Sequence, residues 1–484
     1  MEKKRLRLIV ISHMFPNSYE INGGIFIYEQ VKSLAKLSKY NITVISPIPW
    51  SPHMLWFKEK WRKYGQIEEK VIMNKSGNVD GNFNGNMDVN TDDHIDSNIY
   101  GNTDGNGNKD DNIDVIYPRY ICFPGKHLFF IRAITMFISV AKVIRTLMKR
   151  DDIAIIHTHT ILPDGFSGAL LKKFFPNIKT VCSARGSDIN VYPYRNKMAM
   201  YFTRYSLRNN DIITTVSKDL MRKCLELRKK TNKRLNNRPG SELNCNSRST
   251  VNPEVNLAAN SKVGSAMNPT ANCVVVYNGL KEDWFHLCGE EQIKIEELKK
   301  EYGFKTRLLF VGELSKEKGI YELILAFERL QKRYKKIGLL IVGDGRERKE
   351  FTNMCSQKDL QDKVIFFGQV KHENVKLLMR SCDIFILPSY SEGMPNVVLE
   401  VMAAGKVVIA TSVGGVTEVV EHKYNGIVIK PKSVEDIVNS VELLLNDNAL
   451  YNSICQNAYT TVRNKFSWNK NALQIDGIYE SLLN

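Results

Sequence analysis

A chain of 484 residues in which 43% of side chains are apolar and 25% charged has the make-up of an ordinary globular protein. Its length predicts two or three domains and excludes a mini-protein that needs disulfide or metal staples. The formal charge of +16 favours anionic partners, namely nucleic acid, an acidic membrane surface or phosphorylated small molecules, but no zinc-finger spacing or aromatic-basic ribonucleoprotein strand supports the first of these.

The N-terminus, MEKKRLRLIVISHMF, has a basic start and an apolar run. The run is short, lacks a small-residue cleavage site and is broken by Ser12 and His13, so it reads as a first β-strand (6–12) and not as a signal peptide. HMFPNSYEINGGIF (13–26) places Gly23 and Gly24 just before a helix, and ITVIS (42–46) is a second strand. Residues 74–113 hold 11 Asn and 8 Asp with few apolar residues, which cannot offset the entropy of ordering, so a disordered insertion is expected. Within it, DGNFNG (80–85) matches half of a calcium loop, but Thr91 stands where a Glu is needed. Residues 115–150 contain no acidic side chain, and HLFFIRAITMFISVAKVIRTLMKR predicts a helix with an apolar face and a basic end. It reads either as a core helix with solvated basic residues or as a surface for anionic lipid.

Further strands are predicted at 153–159, 180–184, 212–217 and 273–278, and HTHTILPDG (157–165) puts two histidines at the end of the first of these. An Asn-, Ser- and Lys/Arg-rich stretch at about 230–271 reads as a second insertion. The second half supplies strands at 307–312, 339–343, 364–368, 384–388, 407–411 and 426–430. Short continuous apolar runs alternating with helical segments indicate parallel strands covered on both faces. Two sets of six predict an α/β chain with two doubly wound, Rossmann-like domains. No apolar run of about 18 residues free of charge predicts a membrane span. Nine cysteines without a CxxC pair or a His/Cys cluster predict reduced thiols in a cytoplasmic protein.

The stretch LPSYSEGMPNVVLEVMAAG (387–405) carries the strongest signal. A buried strand ends at Pro388, a turn follows, Pro395 suits the first position of a helix, and Gly405 suits its end. Glu392 therefore precedes a helix N-terminus at the carboxyl end of a parallel strand, where open α/β sheets bind ligands. Free N–H groups at 393–397 would receive a phosphate. Glu400 falls among apolar residues inside the helix; it is either a ligand for sugar hydroxyls or half of a buried ion pair. FVGELSKEKGI (310–320) brings Lys318 to a similar turn, where it is either a phosphate contact or an exposed loop lysine.

Together, these pieces resemble the retaining glycosyltransferases of the GT-B fold, specifically the GT4 family (glycosyltransferase group 1), over nearly the whole chain apart from the two insertions. The core of the resemblance is the E-x7-E pattern from Glu392 to Glu400, with FVGELSKEKG, VGDGRERKEF, VIFFGQV and the closing FSWNKNALQIDGIYESLLN. The resemblance implies an N-terminal acceptor-side domain (1–288), a C-terminal nucleotide-sugar domain (289–465) facing it across a cleft, and a terminal helix (466–484) that returns to the first domain. It further implies that Glu400 binds the ribose and Glu392 the donor sugar. Gly393, Met394, Pro395 and Asn396 would line the sugar and diphosphate site, with Lys318 on the diphosphate, Val370 beside the base, Gly24 near the diphosphate and His159 near the reacting carbon. Glu392, Lys318 and His159 would be the catalytic set. Many members place Arg where this chain has Glu313, which receives no role. SARGSD (183–188) carries Arg185 where many relatives have histidine, an additional contact to donor or acceptor.

The implied reaction is transfer of a hexose-type sugar from a UDP- or GDP-linked donor to a glycan or lipid-linked acceptor, with retention. It would proceed without metal or other cofactor, in surface polysaccharide or glycolipid synthesis and without nucleic acid as partner. The expected location is cytoplasmic, with peripheral contact to the inner membrane face through 115–150. The alternatives are an epimerase or phosphorylase of the same fold, or a non-catalytic sugar- or lipid-binding homologue.

Overall fold

The structure, a computed structural model, describes residues 5–20, 23–50, 59–67, 70–73, 113–122, 129–149, 153–229 and 272–484. Both expected insertions, with the half calcium loop, lie outside the described residues apart from Ile113, which opens a strand.

Sixteen strands are present among the described residues. The first half contributes β1 (Leu6–Ile11), β2 (Tyr40–Ile45), β3 (Ile48–Trp50), β4 (Lys70–Met73), β5 (Ile113–Ile116), β6 (Arg119–Ile121), β7 (Ile153–His159), β8 (Lys179–Ala184), β9 (Ile212–Thr215) and β10 (Cys273–Val275). The second half contributes β11 (Thr306–Val311), β12 (Ile337–Val342), β13 (Val364–Gly368), β14 (Ile384–Leu387), β15 (Val407–Thr411) and β16 (Ile427–Ile429). All twelve predicted strands are found. The expected set of six in the first half is too small: β4 and β5 extend that sheet to eight strands, and β3 pairs with β6 apart from it. These four are short, and Asp114 and Pro49 interrupt their apolar runs, so period and run length do not reveal them.

The second sheet runs β13-β12-β11-β14-β15-β16, all parallel. Numbered within its domain this is 3-2-1-4-5-6, the doubly wound dinucleotide-fold order. The first sheet runs β10-β9-β8-β7-β1-β2-β5-β4; its strands β5-β2-β1-β7-β8-β9 repeat that order, with β10 added parallel at one edge and β4 antiparallel at the other. Both faces of the first sheet are covered: Leu8 and Val10 of β1 pack in one core and Ile9 and Ile11 in another, so all four are fully buried despite pointing to opposite sides. Each sheet reverses its winding beside its first strand, between β1 and β7 and between β11 and β14. The carboxyl ends of those strands, with the exits of β8 and β10 beside them, hold the residues at the centre of the site.

The helix Trp468–Leu483 runs back onto the first domain. Ala472, Ile475, Ile478 and Tyr479 join its core, and Gln30 Nε2 donates to Asn471 Oδ1 at 2.6 Å. The outgoing and returning chains cross tightly: Leu280 pairs with Ser467 as an isolated parallel bridge, and a Cβ on Gly279 would lie 2.3 Å from the Trp468 nitrogen. Among the described residues, no helix is long and apolar enough to cross a membrane.

Candidate active site

The β11 exit makes a short 3-10 turn, Lys316–Lys318, before the helix Ile320–Arg333 starts. Gly319 links them at φ +68°, and a Cβ there would sit 2.1 Å from the Pro388 carbonyl oxygen. Only glycine permits both the left-handed backbone and this approach. The turn is thereby pressed onto the end of β14, and Lys318 Nζ donates to Glu392 Oε1 at 2.7 Å. The two residues, 74 apart in sequence, meet at the winding reversal of the second sheet.

The Glu392 segment is fixed from behind. Tyr390 N–H donates to the Glu317 carbonyl at 2.8 Å, and Gly415 N–H donates to the Gly393 carbonyl at 2.7 Å. The following helix is Asn396–Ala403, with Pro395 as its N-cap. The expectation that Pro395 takes the first helical position is therefore corrected by one residue: its ψ of 102° is extended and turns the chain into the helix from outside. Gly405, at φ +69°, follows the C-cap Ala404 as expected. The N–H groups of Gly393, Met394, Asn396 and Val397 have no hydrogen-bond partner among the described residues. They form a row of donors at a helix N-terminus beside the Lys318 ammonium, a ready anion cradle. Met394 and Pro395 are buried, while Glu392, Gly393, Asn396 and Glu400 keep partial exposure.

Glu400 has a partner that the sequence did not reveal. His372 Nε2 lies 3.6 Å from Glu400 Oε1, and the His372 ring meets the buried Trp284 edge-on at 5.6 Å. The hydrogen bond and charge of Glu400 raise the His372 pKa against the opposing effect of burial. Val370, two residues before His372, lines a pocket of about 580 Å³ with Lys294, Glu297, Gln369 and Lys371. None of Glu392, Lys318 and Glu400 lines that pocket.

Across from the Glu392 loop stand the ends of the first sheet. Gly24 is the N-cap of the helix Ile25–Ala35 at φ +63°, and a Cβ there would fall 1.5 Å from the Met14 carbonyl oxygen. The N–H groups of Gly24, Ile25 and Phe26 have no partner among the described residues, a second set of open donors. His13 and Asp164, one after β1 and one after β7, join through Nδ1 and Oδ2 at 2.8 Å. Nothing in the sequence pairs them, because 151 residues separate them and only the winding reversal brings them together.

His159 ends β7, almost fully buried, with its Nδ1 2.7 Å from an Arg185 terminal nitrogen. A guanidinium can only donate, so Nδ1 accepts and the ring proton sits on Nε2. Burial, reinforced by His157 and the Arg185 charge, holds the His159 pKa far below the usual histidine value. His159 is thus a neutral N–H donor at any physiological pH. His157 stacks on it at 4.4 Å and links Tyr479 Oη at 2.6 Å to Ser183 Oγ at 2.7 Å. The Arg185–Gly186 backbone faces Gly393: a Cβ on Gly393 would stand 3.2 Å from the Arg185 carbonyl oxygen. Asn278 Nδ2 donates to Asn396 Oδ1 at 3.0 Å. The structure thus gathers Lys318, Glu392, Gly393 and Asn396 with Arg185 and His159. Among the described residues, no group of three or more His, Cys, Asp or Glu side chains could hold a metal.

Comparison with known proteins adds to this geometry. The model of the family "Glycosyl transferases group 1" matches residues 291–461, and that of "Glycosyltransferase Family 4" matches residues 99–234. A candidate teichuronic acid biosynthesis glycosyltransferase of Bacillus subtilis (strain 168) is 26% identical over 483 residues, covering 99% of both chains. The N-acetyl-alpha-D-glucosaminyl L-malate synthase of Bacillus anthracis is 25% identical over 72% of this chain and 79% of its own. The same fold occurs in the crystal structure of Anabaena HepE in complex with UDP, with TM-score 0.62 and 16% identity over 98% of this chain and 100% of that one. Sucrose-phosphate synthase from Thermosynechococcus elongatus shares it with TM-score 0.66 and 17% identity, covering 99% of both.

Proposed function

Because the chain is a GT4-type group 1 glycosyltransferase, a transferase of the GT-B fold, we propose that its cleft moves a hexose-type sugar from a UDP- or GDP-linked donor, with retention, to a glycan or lipid-linked acceptor. The observation that carries this reading is the Lys318–Glu392 contact at 2.7 Å beside the open amides of Gly393, Met394, Asn396 and Val397. HepE, which shares the fold, has been crystallised with UDP-glucose.

Departure of the diphosphate builds negative charge on its oxygens. Lys318 and the open amides beside it would stabilise that charge, which is electrostatic catalysis. Glu392, held by Lys318, binds hydroxyls of the donor sugar, and Glu400 binds the ribose. His159 donates its Nε2–H to a sugar oxygen and does not act as base. A side-chain base is not required if the departing phosphate takes the acceptor's proton on the same face, a course that also preserves the anomeric configuration. The donor set of the cleft is amides, the Lys318 ammonium, the Arg185 guanidinium and the neutral His159 ring, which suits a diphosphate without a metal.

The acceptor reading rests on the helix Phe129–Met148. It sinks Ala133, Met136, Val140 and Ile144 into the core and leaves Ile134, Ile138, Lys142, Arg145 and Lys149 exposed. Their spacing by three and four puts them on one stripe, apolar at one end and basic at the other, which fits an anionic membrane carrying the acceptor. Titration calorimetry with UDP and GDP, followed by a donor screen read as nucleotide release, tests the proposal. Binding of one nucleotide and release from its sugar is expected; an isomerised free sugar without transfer would point to an epimerase, and no binding of either nucleotide would overturn the reading.

A further inference from the structure

Arg185 carries a guanidinium that is hydrogen-bonded only to neutral side chains. Its guanidinium donates to Asn278 Oδ1 at 3.0 Å, to Gln30 Oε1 at 3.3 Å and to His159 Nδ1 at 2.7 Å, and it lies over the Phe26 ring at 4.9 Å. Every one of these partners is neutral. The Nε is sealed from solvent and has no acceptor. Among the described residues no carboxylate forms an ion pair with it. The nearest carboxylate in sequence, Asp188, acts on Arg185 through its charge, but its oxygens bond the backbone N–H groups of Ile161, Arg185 and Gly186 at 2.7, 3.0 and 2.8 Å and not the guanidinium. Burial draws the Arg185 pKa down to about 10, so it remains charged at pH 8.

A half-buried guanidinium whose side-chain contacts are all neutral is costly to hold unless an anion pairs with it. Arg185 also stands where the two halves of the protein meet, since its own carbonyl packs against Gly393. Its flat fork matches a phosphate or a carboxylate.

We propose that Arg185 is an anion-binding residue of the first domain and that its ligand is an anionic group of the donor: the diphosphate, or a carboxylate on the transferred sugar. This rests on the proposed nucleotide-sugar site, to which it adds a charge from the opposite wall. It gives Arg185 two tasks, pairing with the anion and keeping the His159 proton on Nε2.

The test is calorimetric titration of UDP, UDP-glucose and UDP-glucuronate into the full chain and its Arg185→Gln variant at pH 8. Loss of one charge-assisted contact is worth at least about tenfold in affinity. If the diphosphate is the ligand, all three titrants weaken by about that factor. If a sugar carboxylate is the ligand, only UDP-glucuronate weakens. Unchanged affinity for all three, with an unchanged melting temperature, overturns the proposal and leaves the nucleotide-sugar reading standing. A wild-type chain that binds none of them is compared with its variant using GDP, GDP-mannose and GDP-mannuronate in the same way, and a chain that binds neither nucleotide overturns both. Arg185→His, which keeps a ring N–H but carries no fixed charge at pH 8, takes the same comparison if the glutamine variant fails to fold.

Discussion

At position 319 the chain has no alternative to glycine, and the consequence reaches the chemistry. Gly319→Ala forces a side chain into left-handed backbone, costing about 1–2 kcal/mol, and drives its Cβ towards the Pro388 carbonyl. The variant should melt lower and release nucleotide more slowly, because Lys318 and Glu392 would part; unaltered melting and turnover would show that the contact is not held by this turn. A second consequence is pH dependence. Burial, with the Arg185 charge, pushes the His157 pKa down to about 3, and His159 shifts the same way. Below about pH 6.5 the unfolded chain therefore binds more protons than the folded one, so stability falls as pH drops. His157 alone accounts for roughly 1.4 kcal/mol by pH 5.5. His372, raised by Glu400, acts oppositely: its contribution is present at low pH and fades as pH rises through its folded value, and its exposure keeps it small. Denaturant melts at pH 7.5 and 5.5 should show the loss in wild type and a smaller loss in His157→Gln; equal losses would remove His157 as the cause. Lys318 and Glu392 were legible in the sequence because each stands beside a glycine or proline turn at a strand end. His372, His13 and Asp164 were not, since each gains meaning only from a partner that folding delivers.

At the scale of elements, the helix Lys218–Lys229 of the first domain is capped by a residue of the second. Glu418 accepts from the Lys218 N–H through both oxygens at 2.8 and 2.9 Å and from Tyr277 Oη at 2.9 Å. A carboxylate at a helix N-terminus satisfies open donors and the helix dipole together. Glu418→Ala should cost about 1 kcal/mol, read as a lower denaturant midpoint, with weaker donor binding because the two domains lose a shared contact. Binding and midpoint both unchanged would mean the cap is not used in solution. The helix Phe129–Met148 makes its own prediction: the chain should float with vesicles containing anionic phosphatidylglycerol and much less with neutral phosphatidylcholine. Reversing Lys142, Arg145 and Lys149 to Glu should abolish the difference, whereas equal recovery with both lipids would remove the electrostatic contact. Elements with continuous apolar runs were readable from period and length alone. The strands β3 to β6 were not, because pairing with neighbours, and not their own sequence, holds three- and four-residue segments in extended form.

Over the whole molecule, one doubly wound plan is used twice, and the two winding reversals face each other. The double arrangement was foreseeable from two runs of six strands, yet the antiparallel addition of β4 and the pairing of Glu418 with the opposite domain depend on distances that no local pattern encodes. The terminal helix ties the plan together: Tyr479 reaches His157 beneath the site, while Asp476 takes hydrogen bonds from Lys39 and Tyr40. A group of neutral rings, two glutamates and unmatched donors then faces a cleft whose occupant should be negatively charged and rich in hydroxyls. The most direct test is nucleotide release from a panel of UDP- and GDP-linked hexoses by the wild-type chain and by Glu392→Ala, with melting temperature followed alongside. The wild type should release nucleotide from one donor class, and the variant should fold normally and lose at least about a hundredfold in rate, the scale of removing one electrostatic contact to a transition state. Near-wild-type turnover in a folded Glu392→Ala variant would contradict the account.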